Sequence, residues 1–388
     1  MKILVITYYK DLNPGTVLQA LGVKTGLLSI FPDANIEFLR TTYRKKESNS
    51  EKLSINSFQL ILNKYYNYIR KKKFEKITKK LFIESDFCFD YFEYDEGKFL
   101  SYADTFDIIS TGSDTILEKI ATKNQIGLMW GDSKRKSAQI TFSASGDSSE
   151  ENKLKKEFHE ELAKKVRSLS FIGIRDDITK AFLINYLKVP AELITKQPDP
   201  TYLLSLEQFK LKPKNISKLA GQEKLAIFHF DRRFIYRKEL ATILKKMGYK
   251  LITPEYDPSC DISFKHMDIY EWGGLFKYCE IVFTERFHDT VFALRFNKPV
   301  FTFDWNKDKY NDEGLSKRSE ILKDFDLLSH HFKIIDQSDI ECVPEKVKTA
   351  LAKFSPNKIN VRNEQLISLS HALLETIKNS VEHNNILK

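Results

Sequence analysis

Apolar positions along this chain come in two rhythms. Short continuous runs of aliphatic and aromatic residues alternate with longer stretches whose apolar positions recur at helical spacing. Lys2–Tyr8 is a buried-strand run, and Val17–Ile30 is a helix. Ile36–Arg40, Phe106–Ser110, Ser137–Ser143 and Ser170–Ile174 follow as strands, with helices over Glu150–Arg167 and Ile178–Leu187. Lys210–Lys224 is polar and lysine-rich and reads as a linker. The rhythm then restarts with strands at Leu225–Phe230 and Lys250–Pro254 and helices at Arg237–Met247 and Ile269–Cys279. Glu280–Asp304 is strand, short polar turn, helix and strand in one run. This alternation predicts βαβ units and parallel sheets. The expected fold is α/β, with two Rossmann-like domains facing across a cleft. Residues 1–209 would form the first domain, with a basic helical insertion near 41–103. Residues 225–330 would form the second, and 331–388 a helical tail whose last helix, Asn363–Val381, packs back on the first.

Composition narrows the class. The chain has 388 residues, 42% hydrophobic and 30% charged, which suits a globular protein of two α/β domains. No apolar run approaches the roughly 20 residues needed to cross a bilayer. The opening MKILVITYYKDLNPG shows no cleavable signal pattern, and four scattered cysteines fit free thiols in a reducing cytoplasm. A cytoplasmic location is therefore expected. The net charge of +9 permits acidic small molecules, an anionic membrane surface or nucleic acid. No recognition motif accompanies the charge, so nucleic acid is not expected. In the insertion, Phe58, Tyr65, Tyr66, Tyr68 and Ile69 precede Arg70-Lys71-Lys72-Lys73. That pattern reads as a solvated helix or, second, as a peripheral contact with the inner face of a membrane. No His/Cys/Asp spacing points to a metal.

Candidate chemistry clusters just after the expected strands, where open α/β folds build ligand sites. Asn13, Gly15 and Thr16 follow the first strand and open a helix, where a glycine lets backbone amides approach an anion. Gly112-Ser113-Asp114 and Arg175-Asp176 follow two more. In the second half, Arg286 and His288 stand two residues apart at a helix start, which attracts anions. Arg232 and Arg233 follow another strand. Plainer readings stand beside these. Gly112-Ser113-Asp114 is also an ordinary turn, and Arg175-Asp176 an ion pair or helix cap. His288 alone is as readily a satisfied histidine at a helix start. Arg232 and Arg233 read as solvated, His229 as packed, and His330-His331 as surface residues of the tail.

Taken in order, these motifs resemble those of the bacterial polysaccharide pyruvyl transferases, from the N-terminus to about Asp304. Asn13-Pro14-Gly15-Thr16-Val17-Leu18-Gln19-Ala20 is similar to the family's opening turn. Phe106–Asp114 resembles its Gly-Ser-Asp strand, and Ile140–Gly146 its Tyr-Ala-Ala-Ser-x-Gly segment. Gly173-Ile174-Arg175-Asp176 resembles its arginine-acid turn, and Asp199-Pro200-Thr201 its Asp-Pro-Thr. Arg286-Phe287-His288, with Phe292-Ala293 and Lys298-Pro299, resembles its histidine turn. Two positions depart: Asp289 stands where a small residue usually follows the histidine, and Thr115-Ile116-Leu117 follows Asp114 where a polar residue and a tryptophan are usual.

The resemblance implies a glycosyltransferase-B-like fold and a capsule or exopolysaccharide enzyme. It implies phosphoenolpyruvate as co-substrate, no further cofactor, and a sugar or lipid-linked oligosaccharide acceptor that becomes a pyruvate ketal. Arg175, Arg286, Asn13, Gly15 and Thr16 would hold the donor, and Gly112, Ser113 and Asp114 the acceptor. His288 and Arg286 would be catalytic, with His288 moving protons. Asp289 would orient the imidazole or cap the helix, and Asp199 and Arg232 are further candidates. Two other readings remain: a nucleotide-sugar glycosyltransferase on the same fold, with Glu285 as its ribose ligand, and a non-catalytic glycan-binding relative.

Overall fold

The computed structural model describes residues 1–42, 57–90, 95–117, 130–132, 134–146, 158–305 and 315–386. Its first sheet holds β1 (Lys2–Ile6), β2 (Asn35–Thr42), β3 (Ile83–Asp90), β4 (Ile108–Thr111), β5 (Ala138–Ala144), β6 (Phe171–Ile174) and β7 (Ile194–Lys196), in the order β3-β2-β1-β4-β5-β6-β7. The second holds β8 (Leu225–His229), β9 (Lys250–Thr253), β10 (Ile262–Ser263), β11 (Ile281–Thr284), β12 (Val300–Asp304) and β13 (His331–Lys333), in the order β10-β9-β8-β11-β12-β13. The paired strands run parallel. Strands covered on both faces need no polar alternation, which explains runs such as Ile281–Thr284, buried throughout.

In each sheet the order reverses direction at one pair, β1/β4 and β8/β11. Loops leaving such a pair diverge and open a crevice at the carboxyl ends of the strands. Both crevices open onto the same cleft. The helix Pro14–Ile30 leaves the first switch point and Phe287–Arg295 the second. The long helix Pro356–Ile386 joins the two halves: Asn363 accepts from Tyr202 Oη at 3.0 Å and donates to the Leu294 carbonyl at 2.7 Å.

Several expectations need correction. The 41–103 stretch is not all helical, because β3 lies within it and forms the edge of the first sheet. Its polar alternation (Glu84, Asp86) hid a strand that is covered on one side only. The Lys210–Lys224 linker contains a helix, Pro213–Leu219. The 331–388 tail opens with β13, which pairs with β12. His330 is buried and stacked on Phe301 with centroids 4.4 Å apart, and His331 Nδ1 lies in hydrogen-bond contact with Thr302 Oγ1 at 2.8 Å. Neither histidine is a surface residue. The amino-terminal part of the expected Glu150–Arg167 helix lies outside the described residues, and the rest is helical from His159. Among the described residues, no helix is long and apolar enough to cross a membrane.

Candidate active site

A cavity of about 500 Å³ lies where the strand ends meet. The first domain contributes Tyr8, Asp11, Asn13 and Thr16 after β1, Asp114 and Thr115 after β4, and Arg175 after β6. The second contributes Asp231 and Arg233 after β8, Glu285 to Asp289 after β11, and Trp305 after β12. Lys317 and Arg318, at the start of the helix Lys317–Asp324, complete the wall. Sequence reasoning missed this last pair. No strand immediately precedes them, and the intervening residues 306–314 are outside the described chain.

His288 reaches across the cleft and is 6% exposed. Its Nε2 lies 3.3 Å from Gln19 Oε1 and 3.7 Å from Asp199 Oδ2, both in the first domain. Arg175 Nη1 donates to the same Gln19 Oε1 at 3.1 Å and to Asp199 Oδ2 at 3.1 Å. The guanidinium can only donate, so it fixes the Gln19 amide with oxygen inward. His288 Nε2 must then carry the hydrogen, which leaves Nδ1 as the basic nitrogen. Burial pushes His288 below its ordinary value of 6.5, against the pull of Asp199 and Asp114. The imidazole is therefore neutral at neutral pH and able to take a proton. Burial would raise the carboxyls of Asp199 and Asp114, yet His288 and Arg175 hold both below the usual range.

Gly15 explains the close approach. A Cβ there would fall 2.3 Å from the Cβ and Cγ of His288. Its amide donates to Asn13 Oδ1 at 3.1 Å, so Asn13 caps the helix. The expected role of Gly15, an amide offered to an anion, is thus replaced by making room for the histidine. Gln19 lies four residues on, on the same helix face as Gly15. It was quoted within a motif but not recognised as a site residue, and that spacing was the signal.

The other candidates separate clearly. Asp114 reaches the cavity and accepts from Thr16 Oγ1 at 3.1 Å. Gly112 and Ser113 are buried behind it. Gly112 has φ +116°, and a side chain there would meet the Phe142 carbonyl, so the turn that presents Asp114 requires glycine. Ile116 and Leu117, two of the departing residues, are buried in the first-domain core. Asp289 does not orient His288. Its Oδ2 accepts from Thr284 Oγ1 at 2.7 Å and lies 2.7 Å from His229 Nδ1. His229 is packed, as its strand position implies, but it is also part of a charged chain. Arg232 lies outside this cavity, against the Tyr256 carbonyl at 3.1 Å.

The lining is balanced rather than cationic: Arg175, Arg233, Arg286, Lys317 and Arg318 face Asp11, Asp114, Asp231, Glu285 and Asp289. Most of these charges are already engaged. Arg233 pairs with Asp231 at 2.9 Å, and Arg318 binds the Glu285 carbonyl and Asp304. Arg286 is different: its side chain lies among carboxylates, and its buried Nε–H has no acceptor. The Nε–H of Arg175 is likewise buried and unpaired. Among the described residues, Lys317 hydrogen-bonds Ser145 Oγ, at 3.3 Å. Unpaired buried donors are costly, and these two belong to residues that line the cavity from opposite domains. Among the described residues, no group of three or more His, Cys, Asp or Glu side chains could hold a metal ion.

Comparison with known proteins agrees with this architecture. The family model for polysaccharide pyruvyl transferase matches residues 13–307. No curated protein matches the chain. Among solved structures, UDP-GlcNAc 2-epimerase from Neisseria meningitidis, bound to UDP-GlcNAc, is similar with TM-score 0.54 at 11% identity, covering 99% of this chain and 100% of that one. A glycosyltransferase from Rickettsia africae is similar with TM-score 0.55 at 10% identity, covering 100% of this chain and 98% of that one. UDP-N-acetylglucosamine 2-epimerase from Rickettsia bellii gives 0.52 at 12% identity, covering 99% and 98%. At such identities the likeness shows the fold alone: two Rossmann-like domains in the glycosyltransferase-B arrangement.

Proposed function

The chain belongs to the polysaccharide pyruvyl transferase family, and from that premise we propose that it transfers pyruvate from phosphoenolpyruvate to a sugar diol, forming a cyclic ketal. The observation that carries this reading is the pair of unpaired buried donors, Arg175 Nε and Arg286 Nε, beside a neutral histidine. Phosphoenolpyruvate brings a carboxylate and a phosphate, and guanidinium donors suit both. Lys317 adds a third cation, with no carboxylate in an ion pair with it among the described residues. Arg175 and Arg286 come from opposite domains, so donor binding draws the cleft together.

The chemistry follows from proton placement. The methylene carbon of the donor gains a proton, and the adjacent carbon becomes electrophilic. One sugar hydroxyl adds there, the carbon–oxygen bond to phosphate breaks, and the second hydroxyl closes the ring. Two hydroxyl protons are lost: one balances the new methyl group and the other leaves with phosphate. His288 Nδ1 is the base and, once charged, the acid for these transfers. Asp114, held by Thr16, accepts hydrogen bonds from the acceptor hydroxyls. The remaining carboxylates of the balanced wall suit a polyol better than a second anion. The scheme asks for no metal and no further cofactor. The acceptor belongs to a surface polysaccharide or its precursor, met in the cytoplasm.

The test is phosphate release from phosphoenolpyruvate, measured with a panel of sugar acceptors. Acceptor-dependent release, lost in His288→Ala, supports the reading. Hydrolysis of a nucleotide sugar instead would favour the glycosyltransferase alternative, and glycan binding without release a non-catalytic relative.

A further inference from the structure

The insertion helix Ser57–Leu81 belongs to the first domain by sequence but is anchored on the second. Arg70 Nη1 donates to Glu255 at 2.6 Å and Nη2 to the Leu12 carbonyl at 2.7 Å. Lys73 reaches the His266 carbonyl at 2.7 Å, and Lys265 reaches Tyr66 Oη at 3.1 Å. Between this helix and the ends of β8 and β9 lies a second cavity, of about 220 Å³. Among the described residues, Arg70, Arg232 and Lys265 line it with Tyr66, Tyr256 and one carboxylate, Glu255. Its balance is thus three cations to one acid, unlike the even wall of the larger cavity. Lys265 sits over both tyrosine rings, 4.7 Å from the centroid of Tyr66 and 5.1 Å from that of Tyr256. Lys73, Lys214 and Lys218 add to a positive field here that, with burial, lowers His266.

The two cavities are neighbours. Glu255 lies 3.6 Å from His229 Nε2, and His229 Nδ1 lies 2.7 Å from Asp289, which lines the larger cavity. Along the chain, Asp231 and Arg233 face the larger cavity while Arg232 between them faces the smaller. The two cavities are thus separated by the chain of contacts Glu255–His229–Asp289.

We propose that the smaller cavity is a phosphate subsite for the acceptor: it holds a phosphate or diphosphate carried by the acceptor sugar while the sugar's diol enters the larger cavity. This rests on the pyruvyl-transfer reading only for which end reacts. Arg232 and Lys265 are the principal contacts, and Tyr66 and Tyr256 flank the group that links phosphate to sugar. Arg70 is already committed to Glu255 and fixes the wall. The phosphate can be borne by a lipid or by a soluble carrier.

The test uses the full chain and inorganic pyrophosphate as probe, titrated calorimetrically in saturating phosphoenolpyruvate so that the larger cavity is filled. Saturable pyrophosphate binding is expected, weakened about tenfold or more in the double variant Arg232→Ala/Lys265→Ala. Arg232→Lys/Lys265→Arg should retain it, which separates charge from mere packing. Binding that vanishes when phosphoenolpyruvate is added, or that is equal in wild type and the alanine variant, would overturn the proposal. If phosphoenolpyruvate itself does not bind, the donor reading fails, while the pyrophosphate titration still decides this one. Sedimentation with phosphatidylcholine vesicles, with and without phosphatidic acid, distinguishes the sources. Charge-dependent sedimentation lost in the alanine variant supports a lipid-borne phosphate. Pyrophosphate binding without sedimentation supports a soluble carrier.

Discussion

At the scale of residues, the site rests on three residues packed across a domain boundary: Gly15, Gln19 and His288. A methyl group at Gly15 would displace His288, since its Cβ would lie 2.3 Å from the imidazole. Gly15→Ala should leave the helix intact, because alanine favours helices. Turnover should nevertheless fall about 100-fold, the usual cost of moving a catalytic group by an ångström or so. Unchanged turnover would mean that His288 does not work from this position. The two arginines should differ in kind. Arg175 and Asp199 are 5% and 2% exposed, so Arg175→Ala strands a buried carboxylate and should cost about 3–5 kcal/mol in denaturant unfolding. Arg286→Ala also removes a cation from buried carboxylates, but these keep other partners, Arg70 for Glu255, His229 for Asp289, Trp305 for Glu285 and Arg233 for Asp231, so it should cost less than Arg175→Ala. His288→Ala should abolish turnover while donor affinity stays within a few-fold, as calorimetry and phosphate release together would show. The arginines and the histidine were visible in the sequence because they follow strands. Of their partners, Asp199 was already a candidate from its motif, but Gln19 was not, because its contact with His288 forms only when the two domains meet.

The element that sequence read least well is the insertion. Its lysines and tyrosines suggested a solvated or membrane-facing helix, and one face is exposed: Tyr65 and Tyr68 are more than half exposed. The other face buries Arg70 and Phe74 and ties the two domains together. Periodicity revealed the helix but not which side is occupied, since arginine and lysine stems bury well while their heads stay polar. The Arg70–Glu255 pair is only partly buried, at 11% and 37% side-chain exposure. Arg70→Ala should therefore cost only about 1–2 kcal/mol. Its larger effect should be on the cleft, because it also releases the Leu12 carbonyl next to Asn13. Limited proteolysis is expected to be faster in Arg70→Ala, and slowed again when phosphoenolpyruvate is present. Identical cleavage rates in wild type and variant would show that the helix does not hold the domains.

For the whole molecule, alternating strands and helices made the two-domain architecture legible, because buried parallel strands are nearly continuous apolar runs. The charge character of the cleft was not legible. The chain carries +9 overall, yet the larger cavity is balanced, so anion binding there depends on placed donors rather than on net charge. That balance also shapes the pH response. His288 is depressed below 6.5 by burial. The form of the free enzyme able to accept a proton is therefore lost only below that pH, and the acidic limb of kcat/KM should have its midpoint under 6.5. An anion in the cavity stabilises the imidazolium, so the corresponding limb of kcat should lie higher. A kcat/KM midpoint above 6.5 would mean that another group carries the proton.

The central claim is that Arg286, with its unpaired buried Nε–H, receives phosphoenolpyruvate between the domains. Calorimetric titration of wild type and Arg286→Ala with phosphoenolpyruvate, beside UDP- and GDP-sugars, tests it most directly. The account predicts saturable single-site donor binding in the wild type, weakened by about 1.5–3 kcal/mol in Arg286→Ala, and no competition from nucleotide sugars. Equal donor affinity in both proteins, or binding of a nucleotide sugar in place of phosphoenolpyruvate, would contradict it.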